Sequence, residues 1–297
     1  MKLNQGPTFA QLRERVHKQH YREIGNLLAR YIARPSAVYG TWLAIRVGLS
    51  ANQVTGLALF AAVAGSVGIG TGTRTGFLVG TIFLCFSFWL DRVDGQLARW
   101  YKTASLNGVY YDYLMHYVAN FALGFALGYG LVRRTGDSGW AIAGGMIALG
   151  WSALSLHNDC RYKAFFQELK RADGQFLVEA GRGGRPSPAP RWPRRGRGLI
   201  TWPLYKACEP HVVLIGLIVL SSLSLVSVPL WRFVWLWSVS LMACVAPALA
   251  LARIARCISK GSVEAEFRLW FQPIEIPAHS EPRPMLSSWS DAPRGVG

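Results

Sequence analysis

Six long apolar stretches dominate this sequence and restrict the folds that it can adopt. A helix needs about 20 apolar residues to cross the hydrocarbon core of a membrane, and most of these stretches approach that length. Six buried helices of a soluble protein would fit poorly with such lengths and with the short links between them. The sequence therefore predicts an all-α, polytopic membrane protein. Its six predicted transmembrane helices are Gln53–Thr71, Gly76–Leu90 with a polar extension, Val109–Val132, Gly139–Leu156, His211–Leu230 and Phe233–Ala252.

Several glycines lie in the third and fourth of these stretches. They are Gly124, Gly128, Gly144, Gly145 and Gly150. Small residues allow transmembrane helices to approach each other closely. We therefore expect close helix packing within the bundle or between protomers, and a homodimer as the assembled form.

Positive charge is distributed unevenly along the chain. If the N-terminus is cytoplasmic, the outer links are Gly72–Thr75, Arg133–Ser138 and a turn near Trp231–Arg232, and they hold only four of the 32 lysines and arginines. This pattern satisfies the positive-inside rule, so we expect both termini in the cytoplasm. The net charge of +16 then reflects topology and attraction to anionic lipid headgroups. No nucleic-acid-binding signature accompanies it, so no nucleic-acid partner is expected.

The flanking segments divide the chain into three parts. Residues 1–48 form a cytoplasmic N-terminal segment, in which Thr8–Ile32 has the apolar periodicity of an amphipathic helix on the membrane surface. A soluble helix packed on the loops is the alternative. Residues 49–253 form the transmembrane domain, whose basic loop 170–200 is rich in Gly, Pro and Arg and is expected to be flexible. Residues 254–297 are expected to be a disordered cytoplasmic tail.

A cluster of polar residues interrupts the second apolar stretch at its end. Asp91 follows Leu90 directly, and Asp94, Gly95 and Arg99 come after it on the same segment. Ionisable residues in or beside a transmembrane helix indicate a functional site by default. Two carboxylates three residues apart share a helix face and repel each other unless a cation lies between them. Oxygen ligands favour magnesium, calcium or manganese, and the arginine one turn further on can bind a phosphate.

This cluster resembles the signature of the CDP-alcohol phosphatidyltransferase family, which reads D-x2-D-G-x2-A-R-x8-9-G-x3-D-x3-D. The chain departs from it at the last position, where His116 replaces the fourth aspartate. The other seven fixed positions match at the required spacing, and such a match is specific. They are Asp91, Asp94, Gly95, Ala98, Arg99, Gly108 and Asp112.

The resemblance implies an activity and its components. The donor would be a CDP-linked lipid such as CDP-diacylglycerol, the acceptor a small polar alcohol or a lipid, and the product besides the new lipid would be CMP. By resemblance, Asp91, Asp94 and Asp112 would hold Mg²⁺ or Mn²⁺. Gly95, Ala98 and Arg99 would bind the nucleotide and phosphates, and Gly108 would allow a close approach of substrate.

The role of His116 is left open by the sequence. Asp112 and His116 lie four residues apart, so both would project into the same cavity as catalytic residues. A histidine can accept a proton at neutral pH, but it is a poor ligand for magnesium. His116 is therefore the general base, a ligand of a softer ion such as manganese, or the mark of a catalytically silent relative. Such a relative would bind CDP-lipid or act as a membrane partner subunit.

Three further residues are candidates for substrate binding. Asn52 and Thr55 begin the first span just after Ser50, a potential N-cap, and by resemblance they would contact the nucleotide end of the donor. Plain helix capping is the alternative for both. Arg161, beyond the fourth apolar stretch, would receive a polar acceptor or its phosphate, with interfacial anchoring as the alternative.

Overall fold

The computed structural model describes residues 7–16, 28–103, 105–171, 176–177, 203–204 and 206–273. Within them the chain is helical, apart from one short pair of strands and the links. A π-helical turn, Ala29–Ala33, leads directly into α2. The elements are α1 Phe9–Val16, α2 Arg34–Val47, α3 Ala51–Gly70, α4 Arg74–Tyr101, α5 Leu106–Thr135, α6 Gly139–Arg171, α7 Pro210–Val226, α8 Val228–Ser259 and α9 Ser262–Trp270, with β1 Phe176–Leu177 antiparallel to β2 Gln272–Pro273.

Five of these helices, α3, α4, α5, α6 and α8, are long and apolar enough to cross a membrane, and α7 is a shorter apolar helix of 17 residues. The prediction of an all-α membrane protein with six apolar helices is thus confirmed. The motif helix α4 has 28 residues, because the polar segment from Asp91 to Tyr101 continues the same helix. The carboxylates therefore project from a rigid helix near its C-terminal end.

Local capping sets the ends of the helices that carry the site. Ser50 begins α3 with a reciprocal capping box, in which its side chain accepts from Gln53 N and the Gln53 side chain accepts from Ser50 N. Ser105 caps α5 with its side chain alone, by accepting from Gly108 N. Since both serines are N-caps at one end of the bundle, they place the first turns of α3 and α5 beside the last turns of α4.

Glycines allow two helix pairs to pack at close range, as the sequence predicts for the second pair. Between α3 and α4, a Cβ added at Gly65 would lie 2.7 Å from Gly80 O. Between α5 and α6, a Cβ added at Gly124 would lie 2.7 Å from the backbone of Ala148, and one at Gly144 would lie 2.8 Å from Phe125 O. Since Cβ atoms do not tolerate such distances, larger residues would force these backbones apart.

An aromatic part of the largest buried cluster lies at the end of the bundle opposite the motif. Phe77 of α4 meets Trp231 and Trp235 of α8 edge-on, with ring centroids 5.7 and 4.9 Å apart. All three side chains are fully buried. This aromatic contact fixes α8 against α4.

Two predicted boundaries were wrong. The break between the last two spans lies at Ser227 instead of Trp231–Arg232, because Ser227 adopts an extended conformation and caps α8, with proline in the first turn. Trp231 is a buried core residue of α8.

The predicted disordered tail is also helical at its start, since α8 continues to Ser259 and α9 follows. α9 forms because it buries Phe267 against Phe165 of α6, with ring centroids 5.5 Å apart.

The N-terminal segment is more structured than an isolated surface helix. Leu12 and Val16 of α1 are fully buried against Val38 of α2, with Trp42 and Trp100 beside them. Residues 17–27 of the predicted helix Thr8–Ile32 lie outside the described part, as do most of the basic loop 170–200 and the tail beyond Pro273. The packing of α1 places it directly against the last turns of the motif helix.

Candidate active site

Two carboxylates and one imidazole converge between α4 and α5. His116 Nε2 lies 3.5 Å from Asp91 Oδ1 and 3.5 Å from Asp112 Oδ1. One potential ligand atom from each of the three residues lies within 4.8 Å of the others. Asp112 and His116 are one turn apart on α5 and face Asp91 on α4, so the cluster needs both helices. Carboxylate oxygens and an imidazole nitrogen at this spacing fit a divalent cation.

Asp94 takes a different position from Asp91. Its carboxylate is buried, with 7% of the residue exposed, and Oδ2 accepts a 2.7 Å hydrogen bond from Thr55 Oγ1 of α3. Asp94 is not part of the three-residue cluster around His116. This hydrogen bond holds the Asp94 carboxylate on the side of α4 that faces α3.

A cavity of about 310 Å³ opens over these groups. All seven matching positions of the predicted signature line it, and so does His116. Both glycines of the motif lie on its wall. Of the predicted site residues, it is lined by Asn52, Thr55, Asp91, Asp94, Gly95, Ala98, Arg99, Gly108, Asp112 and His116.

The motif glycines leave room in this cavity without being crowded by backbone. A Cβ added at Gly95 would lie 3.5 Å from Arg99 Nη1, which is an ordinary contact distance. A Cβ at Gly108 would lie 3.3 Å from Ser105 Oγ and 3.5 Å from Asn52 Oδ1. Larger side chains here would fill the cavity instead of breaking the helices, so the glycines fit a role in admitting a bulky ligand.

Arg99 connects the cavity to the N-terminal helix. Its Nε donates a 2.7 Å hydrogen bond to Val16 O at the end of α1. Its terminal nitrogens lie beside Gly95 on the cavity wall. α1 therefore orients the guanidinium group, and the terminal nitrogens remain directed at the cavity.

Sequence reasoning missed Arg34 and Gln96. Gln96, 1% exposed, donates from Nε2 to Arg34 O at 3.0 Å and accepts from Thr41 Oγ1 at 2.8 Å. These two hydrogen bonds attach the start of α2 to α4, and Arg34 lines the cavity as a result. Burial lowers the pKa of the Arg34 guanidinium, and the positive charges of Arg92 and Arg30 lower it further. Such crowding of positive charge favours an anion in the cavity.

A second cavity, of about 730 Å³, adjoins the first. The two share Asp91, Arg92 and His116 as a common wall. Deeper in, its walls are largely apolar and come from α4, α5, α6 and α7. At the motif end they are polar, and there Tyr117 donates a 2.7 Å hydrogen bond to Asp159 Oδ2. Nothing in the sequence pattern points to this cavity, because its residues lie on six helices, α3 to α8, far apart in the chain.

Arg161 lies outside both cavities. Its guanidinium group pairs with Glu266 of α9. Its neighbours Asn158 and Asp159 do line the second cavity. The predicted role of Arg161 in binding the acceptor is thus not supported by its position, since α9, which the sequence did not predict, provides its partner.

The motif lies within a segment that matches a known family. Residues 49–154 match the family model of the CDP-alcohol phosphatidyltransferases, which confirms the resemblance predicted from the signature. The match covers α3, α4, α5 and the first half of α6, and so includes every residue from Asp91 to His116. No curated protein matches the chain.

Proposed function

We propose that this protein transfers a phosphatidyl, or related substituted phosphate, group from a CDP-linked lipid such as CDP-diacylglycerol to an alcohol and releases CMP. The matched family transfers phosphate-linked groups from CDP-alcohols. One observation carries the proposal. Asp91, Asp112 and His116 converge inside the family-matched segment, in a cavity that also contains the buried Asp94 and the partly buried Arg99.

The first cavity would receive the nucleotide and pyrophosphate of the donor. Gly95 and Ala98 leave space on α4, and Arg99 and Arg34 supply planar donor groups that suit phosphate oxygens. Asp91 and Asp112, with Asp94 nearby, would hold a divalent ion, Mg²⁺ or Mn²⁺. When bound, that ion supplies positive charge that offsets the charge developing on the departing CMP.

The acceptor would approach through the second cavity. Support comes from the shared wall, because an alcohol there would meet the donor beside Asp91 and His116. Its oxygen attacks the lipid-bearing phosphorus, the bond from that phosphorus to CMP breaks, and the proton of the alcohol passes to the Asp112–His116 pair. Positioning and charge neutralisation supply most of the catalysis in phosphoryl transfer.

The orientation of the protein follows from charge. We place the cavities and both termini in the cytoplasm. There the nucleotide head of the lipid donor would lie in water, and CMP could leave. The motif end of the bundle carries Arg34, Arg92 and Arg99, which agrees with that side. A homodimer is part of the same proposal, since transmembrane faces remain exposed on α5 and α6.

The testing experiment measures CMP release. Purified full-length protein in phosphatidylglycerol–phosphatidylcholine vesicles would receive CDP-diacylglycerol, a panel of polar and lipid alcohols, and Mg²⁺ or Mn²⁺. CMP release that depends on both an alcohol and an ion is expected. If no alcohol and no ion gives CMP release while CDP-lipid binding is retained, the protein is better described as a catalytically silent relative. That alternative rests on His116 in place of the fourth aspartate.

A further inference from the structure

The imidazole of His116 lies between two carboxylates. Its Nε2 is equidistant, at 3.5 Å, from one oxygen of Asp91 and one of Asp112. Those distances exceed the range of about 2.7–2.9 Å for charge-assisted hydrogen bonds. Two ligands about 2.1 Å from one ion are about 3.0–3.4 Å apart at right or tetrahedral angles. The spacing thus resembles donors around a common ion more than a closed ion pair.

The surroundings of His116 agree with this. Among the described residues, no other group forms a hydrogen bond or ion pair with this imidazole, so a third protein group does not explain its orientation. Asp91 is largely buried at the side chain (8% exposed), while Asp112 and His116 are about half exposed. The cluster therefore has one fixed carboxylate and an open side through which an ion can enter and a substrate oxygen can complete the coordination.

We infer that His116 Nε2 is a direct ligand of the ion and makes this centre select first-row transition ions over Mg²⁺. An O,O,N ligand set differs from an all-carboxylate one because imidazole suits transition ions, whereas Mg²⁺ prefers oxygen. Affinity should then rise from Mn²⁺ to Co²⁺, in the order general for such ligands. The inference concerns the same centre as the proposed function, but ion binding is measurable without transfer.

The consequence for Asp112 and Asp94 is a division of roles. With Nε2 bound to the ion, the imidazole cannot take the proton of the alcohol at that atom. Asp112 would bind the ion through Oδ1, and the second oxygen of its half-exposed carboxylate is then the group of the pair that receives the proton. Asp94 remains hydrogen-bonded to Thr55 and acts as the buried carboxylate on the donor side.

Isothermal titration calorimetry of the full-length protein in detergent, with no lipid substrate, tests this. We expect wild type to bind Co²⁺ at least about tenfold more tightly than Mg²⁺. His116→Asp should reduce the ratio of Co²⁺ affinity to Mg²⁺ affinity at least about tenfold, because it weakens the binding of Co²⁺ and strengthens the binding of Mg²⁺. The visible absorption of bound Co²⁺ should change in the same variant, which a purely structural role of His116 would not produce.

His157→Asp is the matched control, because His157 lies on α6 outside both cavities and should leave the ratio unchanged. If His116→Asp does not fold, judged by size exclusion and circular dichroism, His116→Asn replaces it and should lower the ratio likewise. An unchanged Co²⁺-to-Mg²⁺ ratio in the folded variant, or no ion binding by wild type, overturns the inference. Ion selection without CMP release would instead refute only the proposed transfer activity.

Discussion

Thr55 of α3 donates a 2.7 Å hydrogen bond to the buried carboxylate of Asp94 on α4. The contact joins residues 39 positions apart, across a helix pair that glycines hold at close range. A hydrogen bond to a charged group contributes about 1.5–3 kcal/mol, and burial makes its loss more costly. Thr55 therefore sets the orientation of one of the three signature carboxylates.

Replacing Thr55 with valine should test that role. Thr55→Val keeps the shape but removes the donor, so we expect transfer to fall by about tenfold or more, since 1.4 kcal/mol corresponds to a factor of ten. Thr55→Ser retains the hydroxyl and should stay within a few-fold of wild type. Equal CMP release by the valine and serine variants would show that the hydrogen bond does not matter for transfer.

The signature carboxylates should each be essential. Asp91→Asn, Asp94→Asn and Asp112→Asn each remove a negative charge from the proposed ion site, and we expect each to lower CMP release at least about 100-fold at saturating ion. Asp137→Asn is the control, because Asp137 is an exposed residue at the other end of the bundle. Near wild-type turnover of any one cavity variant would remove that carboxylate from the proposed site.

Arg99 should be sensitive to a change that preserves its charge. A lysine cannot both donate to Val16 O and present two planar nitrogens to the cavity. For Arg99→Lys we expect the KM for the CDP-lipid to rise about tenfold and the KM for the acceptor to rise less. Arg74→Lys, on the exposed first turn of α4, should leave both KM values unchanged. A similar rise in both variants would contradict a specific role of Arg99.

Narrowing the second cavity should affect the acceptor alone. Leu214 of α7 is 6% exposed and lines this cavity, so Leu214→Trp should raise KM for the acceptor by about tenfold while CDP-lipid binding persists. Leu149→Trp, at a position 61% exposed on α6, provides the matched control. If the Leu214 variant weakens donor binding instead, the second cavity belongs to the lipid chains of the donor.

Labelling of single cysteines should establish the orientation. In a variant lacking the five native cysteines, Asp137→Cys in the α5–α6 link is expected to react with an impermeant maleimide added to intact cells. A cysteine introduced at Ser187, in the basic loop, should react only after the membrane is opened. The reverse pattern would show that the cavities face the outer side.

Local spacing made much of the cavity predictable from the sequence. The intervals Asp91–Asp94 and Asp112–His116 place side chains on common helix faces, and Ser50 was a recognisable cap that the structure confirms. Arg34 could not be found in this manner, because it reaches the cavity through a hydrogen bond from Gln96, 62 residues away. The break at Ser227 was hidden because apolar residues continue on both sides of it. Packing between distant segments, rather than periodicity, decides such features.

α9 changes where the folded unit ends. It covers Phe165, which is buried at 6% exposure, and its Glu266 pairs with Arg161, so α6 and the end of α8 are held together beyond the apolar spans. A shortened chain ending at residue 253 would cut α8 before its last turns, uncover Phe165 and remove the ion-pair partner of the partly buried Arg161. Recombinant versions of this protein should therefore extend at least through Pro273, and shorter ones are expected to aggregate during membrane extraction.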